Sequence, residues 1–350
     1  MPGKQGVGLP RAPLLTLLVT LFVALLGVGF VAPFLPILAT QFGASGFALG
    51  LLMAGFSLSM GLLQPFAGFL SDRHGRKRFL ASGLAIYTIC GFGYSLTGSV
   101  MELTILRFIQ GIGAAGVFPI AMAYMGDWSP PNQEGRYMGI LNIAVISGIG
   151  AGPLLGGVLN DSLGMQSTFY AMGSTSAFAL LLTLLFLPSN PTRSAKVKSE
   201  QLGVVFRSII GNRVLRGVLL ARVSMMLAMV PSFVFLPVLM DDVMNATGVQ
   251  IGLVLTVRTL TSACLQFPFG WLADHYSRVI MTTVSLLGVG IAVMGVGLCT
   301  ELWQFVLLFF TMGIIEAVFL PASSAMATES GREFGMGSTM GVFNAAMNLG

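Results

Sequence analysis

Apolar residues fill this chain in long blocks, not at the spacing of two that marks a half-buried strand. Uncharged runs such as Pro13 to Ser71, Phe79 to Met101 and Ser162 to Thr192 are separated by short clusters of charge. A helix needs about 20 apolar residues to cross the hydrocarbon of a bilayer, so the longest runs read as helix pairs joined by short, uncharged turns. Cutting the runs at turn and breaker residues predicts eleven spans: Leu14 to Leu38, Ala48 to Leu70, Phe79 to Leu96, Leu103 to Met125, Met138 to Leu159, Thr168 to Leu187, Leu215 to Leu239, Gly248 to Leu272, Ile280 to Leu298, Leu302 to Ala325, and Gly337 onward. The opening MPGKQGVGLPRAP is basic like the start of a signal peptide, but the apolar run behind it is too long for one.

Lys and Arg collect in cytoplasmic loops. Fifteen of the 18 fall into one set of alternate connections: Lys4, Arg11, Arg73, Arg76, Lys77, Arg78, Arg136, Arg193, Lys196, Lys198, Arg207, Arg213, Arg216, Arg278 and Arg332. The opposite set holds none and carries Glu102, Asp161, Asp241, Asp242 and Glu301. This predicts a multi-pass protein of the inner (plasma) membrane with a cytoplasmic N-terminus. Between Pro188 and Arg216 six basic residues and a single acid, Glu200, interrupt the apolar pattern. The expected organisation is a six-helix bundle over 1–187, a cytoplasmic linker over 188–214 and a second bundle over 215–350.

Shifting the chain against itself by 202 residues aligns Gln64 with Gln266, Gly68 with Gly270, Leu70 with Leu272, Asp72 with Asp274, Gly111 with Gly313, Pro119 with Pro321, Gly139 with Gly341, Asn142 with Asn344 and Gly148 with Gly350. A shift that stays constant through spans two, four and five predicts duplicated halves about an axis normal to the membrane, with a substrate site between them near the midplane. Gly350 pairs with Gly148, so the repeat also predicts a twelve-span parent truncated here within the eleventh transmembrane helix, without counterparts of Ala151 to Leu187.

Three segments carry more than packing information. GFLSDRHGRKR, Gly68 to Arg78, places a glycine for close helix approach, an acid, a turn glycine and a basic cluster at the boundary after span two. LTILRFIQGIGAA, Leu103 to Ala115, puts Arg107 about a turn inside span four. GIGAGPLLGG, Gly148 to Gly157, repeats glycine every four residues and adds Pro153, a smooth and bent face for close packing. With these segments the chain resembles the major facilitator superfamily over its whole length, and within it the twelve-span drug/proton antiporter, or multidrug efflux, branch.

That resemblance implies an all-α membrane protein of two pseudo-symmetric six-helix bundles that works by alternating access. It implies a conformational latch at Gly68, Asp72, Arg73, Gly75 and Arg76, with Asp72 near the positive N-terminal end of span eleven, around Gly335 to Met340, in the outward-facing state. The second copy, GWLADHYSR, keeps Gly270 and Asp274 but has Ser277 in place of the turn glycine and only Arg278 of the basic cluster, so a weaker latch is expected there. Arg107, Gln110 and Gly111 match a coupling or substrate motif; a structural arginine that snorkels outward is the other reading of Arg107. Gly148, Gly152, Pro153, Gly156 and Gly157 match the gate helix of exporters, although the Trp-Arg pair that follows it in this branch is absent between Gly164 and Phe169.

An ionised group at the bilayer centre costs at least about 2.5 kcal/mol, so such residues face the interior. Arg107, Arg222, Arg258 and Glu316 lie within spans. Arg222 is close enough to the cytoplasmic end of span seven for snorkelling to be expected. Arg258 and Glu316 fall at similar depths and are expected to pair, either as a proton-responsive couple or as a static tie between spans eight and ten; Phe56 and Ala114 are their counterparts in the first half. Three cations against one carboxylate point to neutral or anionic amphipathic cargo, with Met225, Met226, Phe233 and Phe235 as an adaptable lining.

Composition narrows the alternatives. The 350 residues are 55% hydrophobic and 9% charged, against about a quarter charged in a soluble domain. Cys90, Cys264 and Cys299 sit in apolar segments without metal-ligand spacing, and His74 and His275 sit at a water boundary. No nucleophile, paired carboxylates, phosphate loop or metal cluster suggests an enzyme, and no cofactor, metal or nucleic acid is implied. The expected partners are a small-molecule substrate, protons and the lipid bilayer, with the chain monomeric. Proton-coupled efflux leads; an uncoupled facilitator or metabolite exporter, and a non-transporting scaffold or sensor, are the alternatives.

Overall fold

The computed structural model describes residues 11–32, 34–189, 202–234, 236–244 and 248–349. Helices account for the secondary structure of the described residues. The first half runs through α1 (Arg11–Val31), α2 (Phe34–Gln41), α3 (Gly46–His74), α4 (Arg76–Tyr94), α5 (Val100–Ala115), α6 (Phe118–Trp128), α7 (Glu134–Leu163) and α8 (Met165–Phe186). After α9 (Leu202–Gly211), the second half runs through α10 (Arg213–Val234), α11 (Leu236–Met244), α12 (Gly248–His275), α13 (Arg278–Val296), α14 (Leu302–Phe334) and α15 (Met336–Leu349).

The sequence repeat reappears in where helices begin. Gly46 and Gly248, Arg76 and Arg278, Val100 and Leu302, and Glu134 and Met336 open helices 202 residues apart. Polar side chains fix several of these starts. Ser45 Oγ accepts from Ala48 N, Ser99 Oγ from Glu102 N, and Ser277 Oγ from Ile280 N, while Glu301 and Gln304 form a reciprocal box at the head of α14. Gly75 and Gly335, at φ 94° and 96°, let the chain reverse between helices at one end of the molecule.

Among the described residues seven runs, counting α1–α2 and α5–α6 as one each, are long and apolar enough to cross a bilayer. The other four expected spans coincide with α4, which Arg76, Lys77 and Arg78 open, and with α10, α12 and α15. Bulky apolar groups such as Phe47, Ile89, Leu154, Ile291 and Met294 cover the outside, as lipid contact demands.

Two features add to the expected pattern. Span four is broken between α5 and α6 at Gly116 and Val117. Gly83, Gly113 and Gly116 let α4 and α5 cross so closely that a methyl group at Gly116 would lie 2.9 Å from Phe79 O, and the chain then restarts with Pro119 in the first turn of α6. The equivalent stretch of α14, with Val318 and Phe319, is continuous. Within the predicted linker, α9 is helical and lays Ile209 and Phe206 against Phe69 of α3, Leu215 of α10 and Phe334 of α14.

Leu17, Leu84, Tyr124 and Phe169 belong to the buried core of the first half, and Met225, Val254, Phe309 and Phe319 to that of the second. Met336, Met340 and Phe343 of α15 join the first core, so the seam between the halves is packed like an interior.

Candidate functional site: a central cavity closed at its basic end

At the basic end the two halves are tied by a pair of equivalent contacts. Asp72, at the end of α3, accepts from Gly337 N at 2.8 Å, Ser338 N at 2.7 Å and Ser338 Oγ at 2.8 Å, at the start of α15. Asp274, at the end of α12, accepts from Gly135 N at 2.7 Å and Arg136 N at 2.9 Å, at the start of α7. A carboxylate facing unsatisfied N–H groups at a positive helix end is favoured on both counts. Close approach depends on glycine: a side chain at Gly68 would collide with Gly337 O, and one at Gly270 would come within 2.6 Å of Gly135 O.

Ion pairs surround each tie. Arg76 bridges Asp72, at 3.1 Å, and Asp127. Arg73, grouped with it in the sequence, instead lies over the Phe69 ring at 4.2 Å. In the second copy Arg278 reaches Glu134 at 2.9 Å, Glu329 at 2.9 Å and Asp274 at 3.5 Å, and Arg332 adds Glu134 at 2.8 Å. In the second copy one arginine reaches three carboxylates where the basic cluster is lost, and Ser277 caps α13 where glycine turns the chain in the first copy.

Above these ties, near mid-depth, the halves enclose a cavity of about 530 Å³. Phe56, Met60, Tyr87, Phe118, Val145 and Leu320 give it apolar walls, and its polar lining is Asn142, Arg222, Arg258 and Glu316. Arg258 Nε donates to Glu316 Oε2 at 3.2 Å, joining α12 and α14, and Arg258 Nη2 contacts Met229 Sδ at 2.9 Å. Phe56 and Ala114, the first-half counterparts of this pair, lie on the same cavity, so the charge stands on one wall only. On its basic side the cavity is floored by Asn142 Nδ2 donating to Gln266 Oε1 at 3.4 Å.

Arg222 does not snorkel. It is 3% exposed, lines the cavity, and lies over the Phe343 ring at 4.8 Å. α15 and the core cover the route to the basic surface, which sequence depth alone does not reveal. Arg107 is also buried and so does not reach outward; it donates to Gln110 Oε1 at 3.2 Å, shares that oxygen with Tyr94 Oη, and lies 5.1 Å from the Phe56 ring. Neither Arg107 nor Gln110 lines the cavity. Gly111 meets Ser59 and Phe56 O where α5 crosses α3.

Gly148, Gly152 and Gly156 face α1 at Phe22, Gly29 and Phe30, and the Pro153 ring touches the same seam. Gly157 stands apart, with nothing within 4 Å of a methyl group there, so it takes no part in that packing. Of the expected lining methionines, Met226 faces the cavity and Met225 is buried in the second core. The Phe233 side chain and Phe235 lie outside the described residues. Asp127 and Glu134 belong to no motif, and standing among the few acids at the basic end is their only sequence signal; Arg332 belongs to the basic set and Ser338 to the helix end expected to receive Asp72.

Two related helical bundles around a shared, partly charged cavity define a membrane transporter. A family model of the Major Facilitator Superfamily matches residues 17–247 and again residues 218–350, and the chain belongs to that superfamily. An uncharacterized MFS-type transporter of Methanocaldococcus jannaschii is 28% identical over 339 residues, covering 95% of this chain and 86% of the relative. The quinolone resistance protein NorA of Staphylococcus aureus is 30% identical over 182 residues, 51% of this chain and 47% of NorA. The crystal structure of the human organic anion transporter MFSD10 (TETRAN) superposes with a TM-score of 0.81 at 19% identity, covering 97% of this chain and 90% of that one.

Proposed function

We propose that this transporter exports small neutral or anionic amphipathic molecules in exchange for protons, by alternating access, from the plasma membrane. The observation that carries the proposal is the Arg258–Glu316 pair inside a cavity shared by both halves. A carboxylate held by arginine exchanges that partner for a proton, and the change alters what ties α12 to α14. Asp72, Asp274 and the helix ends they grip then act as the latch, with Gly68, Gly75 and Gly270 allowing the approach and Arg76 the charge balance. The glycine face of α7 serves as the gate seam. The basic end belongs in the cytoplasm by the positive-inside rule, which makes the described state closed to the cytoplasm. Similarity over half of the chain to the quinolone resistance protein NorA supports the exporter reading.

The test is transport by the full chain in proteoliposomes under an imposed pH gradient, across anionic, neutral and cationic compounds, with Glu316→Gln beside the parent. The proposal expects accumulation that follows the gradient in the parent and at least a tenfold loss of the gradient-driven part in the variant. Full pH-driven transport by Glu316→Gln removes the proton role from this residue. Transport that ignores the gradient in both would favour an uncoupled facilitator, with Arg258–Glu316 as a static tie.

A further inference from the structure

Arg222 is set apart from the ion-paired arginines, and from Arg107, which is also buried without a carboxylate among the described residues but donates to Gln110 Oε1 and does not line the cavity. Arg258 has Glu316, Arg76 has Asp72 and Asp127, and Arg278 and Arg332 share Glu134. Among the described residues Arg222 has no carboxylate partner. Its Nε and Nη1 have no hydrogen-bond partner, and Nη2 reaches only the thioether of Met347 at 3.3 Å, a weak acceptor. Burying an unpaired guanidinium in a lipid-embedded core is costly, and such a charge is kept where a ligand completes it. Glu316 is near enough to act on it electrostatically but is already engaged by Arg258.

We infer that Arg222 is the docking point for the carboxylate, or another monoanionic group, of an amphipathic organic anion. This rests on the reading of the cavity as the transport site and narrows its cargo. Among the described residues the charged lining, two arginines and one glutamate, carries one net positive charge, and that charge belongs to the arginine without a carboxylate partner. Guanidinium pairs with carboxylate in planar, charge-assisted geometry, and the low dielectric around it strengthens the pair. The rest of the ligand lies against Met226, Met229, Phe56, Phe118 and Leu320, which line the same cavity. About 530 Å³ accommodates one or two fused rings with a short substituent, within the range of small-molecule sites. Ammonium compounds would meet Arg222 and Arg258 without a free carboxylate and are disfavoured.

The test uses three probes of nearly equal shape, naphthalene-1-carboxylate, its neutral carboxamide and the corresponding aminomethyl cation, with equilibrium binding measured on the purified full chain in nanodiscs. The parent is expected to bind the carboxylate at least tenfold more tightly than the carboxamide, and the cation more weakly than either. Arg222→Gln should bring the ratio of carboxylate to carboxamide near one, and Arg222→Lys should keep part of it. Arg222→Met, which removes an unpaired buried charge, should melt no lower than the parent, so lost preference cannot be put down to unfolding. Equal binding of carboxylate and carboxamide by the parent, no binding of the carboxylate, or an unchanged ratio in Arg222→Gln overturns the assignment. Vesicle flux separates it from the reading beneath it: preferential binding without flux leaves the anion site standing and removes the exporter, whereas flux without preference does the reverse.

Discussion

Asp72 and Asp274 make the same contact in opposite directions across the seam between the halves. Each grips the two N–H groups that follow the first residue of a helix in the other half, and every member of one contact lies 202 residues from its counterpart: Asp72 and Asp274, Gly337 and Gly135, Ser338 and Arg136. A duplicated segment that folds onto its own copy produces this reciprocity without further design. The two ties together close the basic end.

Asp72→Asn keeps the shape and removes the charge. Hydrogen bonds to an ionised group contribute about 1.5–3 kcal/mol, so the closed state should lose about tenfold or more of its population. Labelling of a cysteine placed at Met60 on the cavity wall should then accelerate from the basic side, and transport should fall by a similar factor. An unchanged labelling rate would exclude Asp72 from holding the closed state.

Arg278→Ala should be more damaging than Arg73→Ala. Removing Arg278 leaves Glu134, 3% exposed at its side chain, with Arg332 alone; because one partner remains, the loss should fall below the about 3–5 kcal/mol of a buried charge left with none. Arg73 is exposed and lies over the Phe69 ring. Melting of both purified variants checks the order; a larger fall for Arg73→Ala would refute it.

Neighbouring glycines on α7 should respond oppositely to a side chain. A methyl group at Gly156 would come within 2.6 Å of Phe30 O, whereas one at Gly157 meets nothing within 4 Å. Gly156→Leu should destabilise by about 1–3 kcal/mol or more, the usual cost of overpacking, and Gly157→Leu should change stability by less than about 0.5 kcal/mol. Comparable thermal shifts in the two variants would show that α7 does not pack on α1 as described.

Ile209→Ser probes α9. Ile209 is fully buried with Phe69 and Leu215, so α9 links α3 to the start of the second half beside the Asp72 tie. Truncating a buried aliphatic side chain costs about 2–5 kcal/mol, and the polar hydroxyl adds to it. Faster proteolysis between residues 188 and 214 is the expected readout, against no change if α9 is only a spacer.

Much of this architecture is legible in the sequence because charge is scarce. Where few residues are ionised, Asp72 and Asp274 stand out, and a constant shift of 202 relates them; the helix end that receives Asp72 follows from the family resemblance, and the one that receives Asp274 emerges only in the structure. The Arg258–Glu316 pair is legible for the same reason, since similar depth leaves few other partners. Arg222 is not: its depth fits a snorkelling side chain, and only the packing of Phe343 and Met347 shows that it points inward. Glu134 is hidden because its counterpart in the repeat is Met336, so the shift carries no signal for it. The break at Gly116 and Val117 depends on how closely α4 crosses α5, which hydropathy along a single run does not encode.

Alternating access is tested most directly by distances at both ends of the molecule. Spin labels at His74 and Tyr276 report the basic end, and labels at Leu96 and Leu298 the opposite end; all four residues are exposed, and each pair is 202 apart. Comparing the parent with Asp72→Asn, the account predicts that the first distance lengthens as the second shortens. Two distances that move together, or a second distance that stays fixed while the first opens, would contradict it.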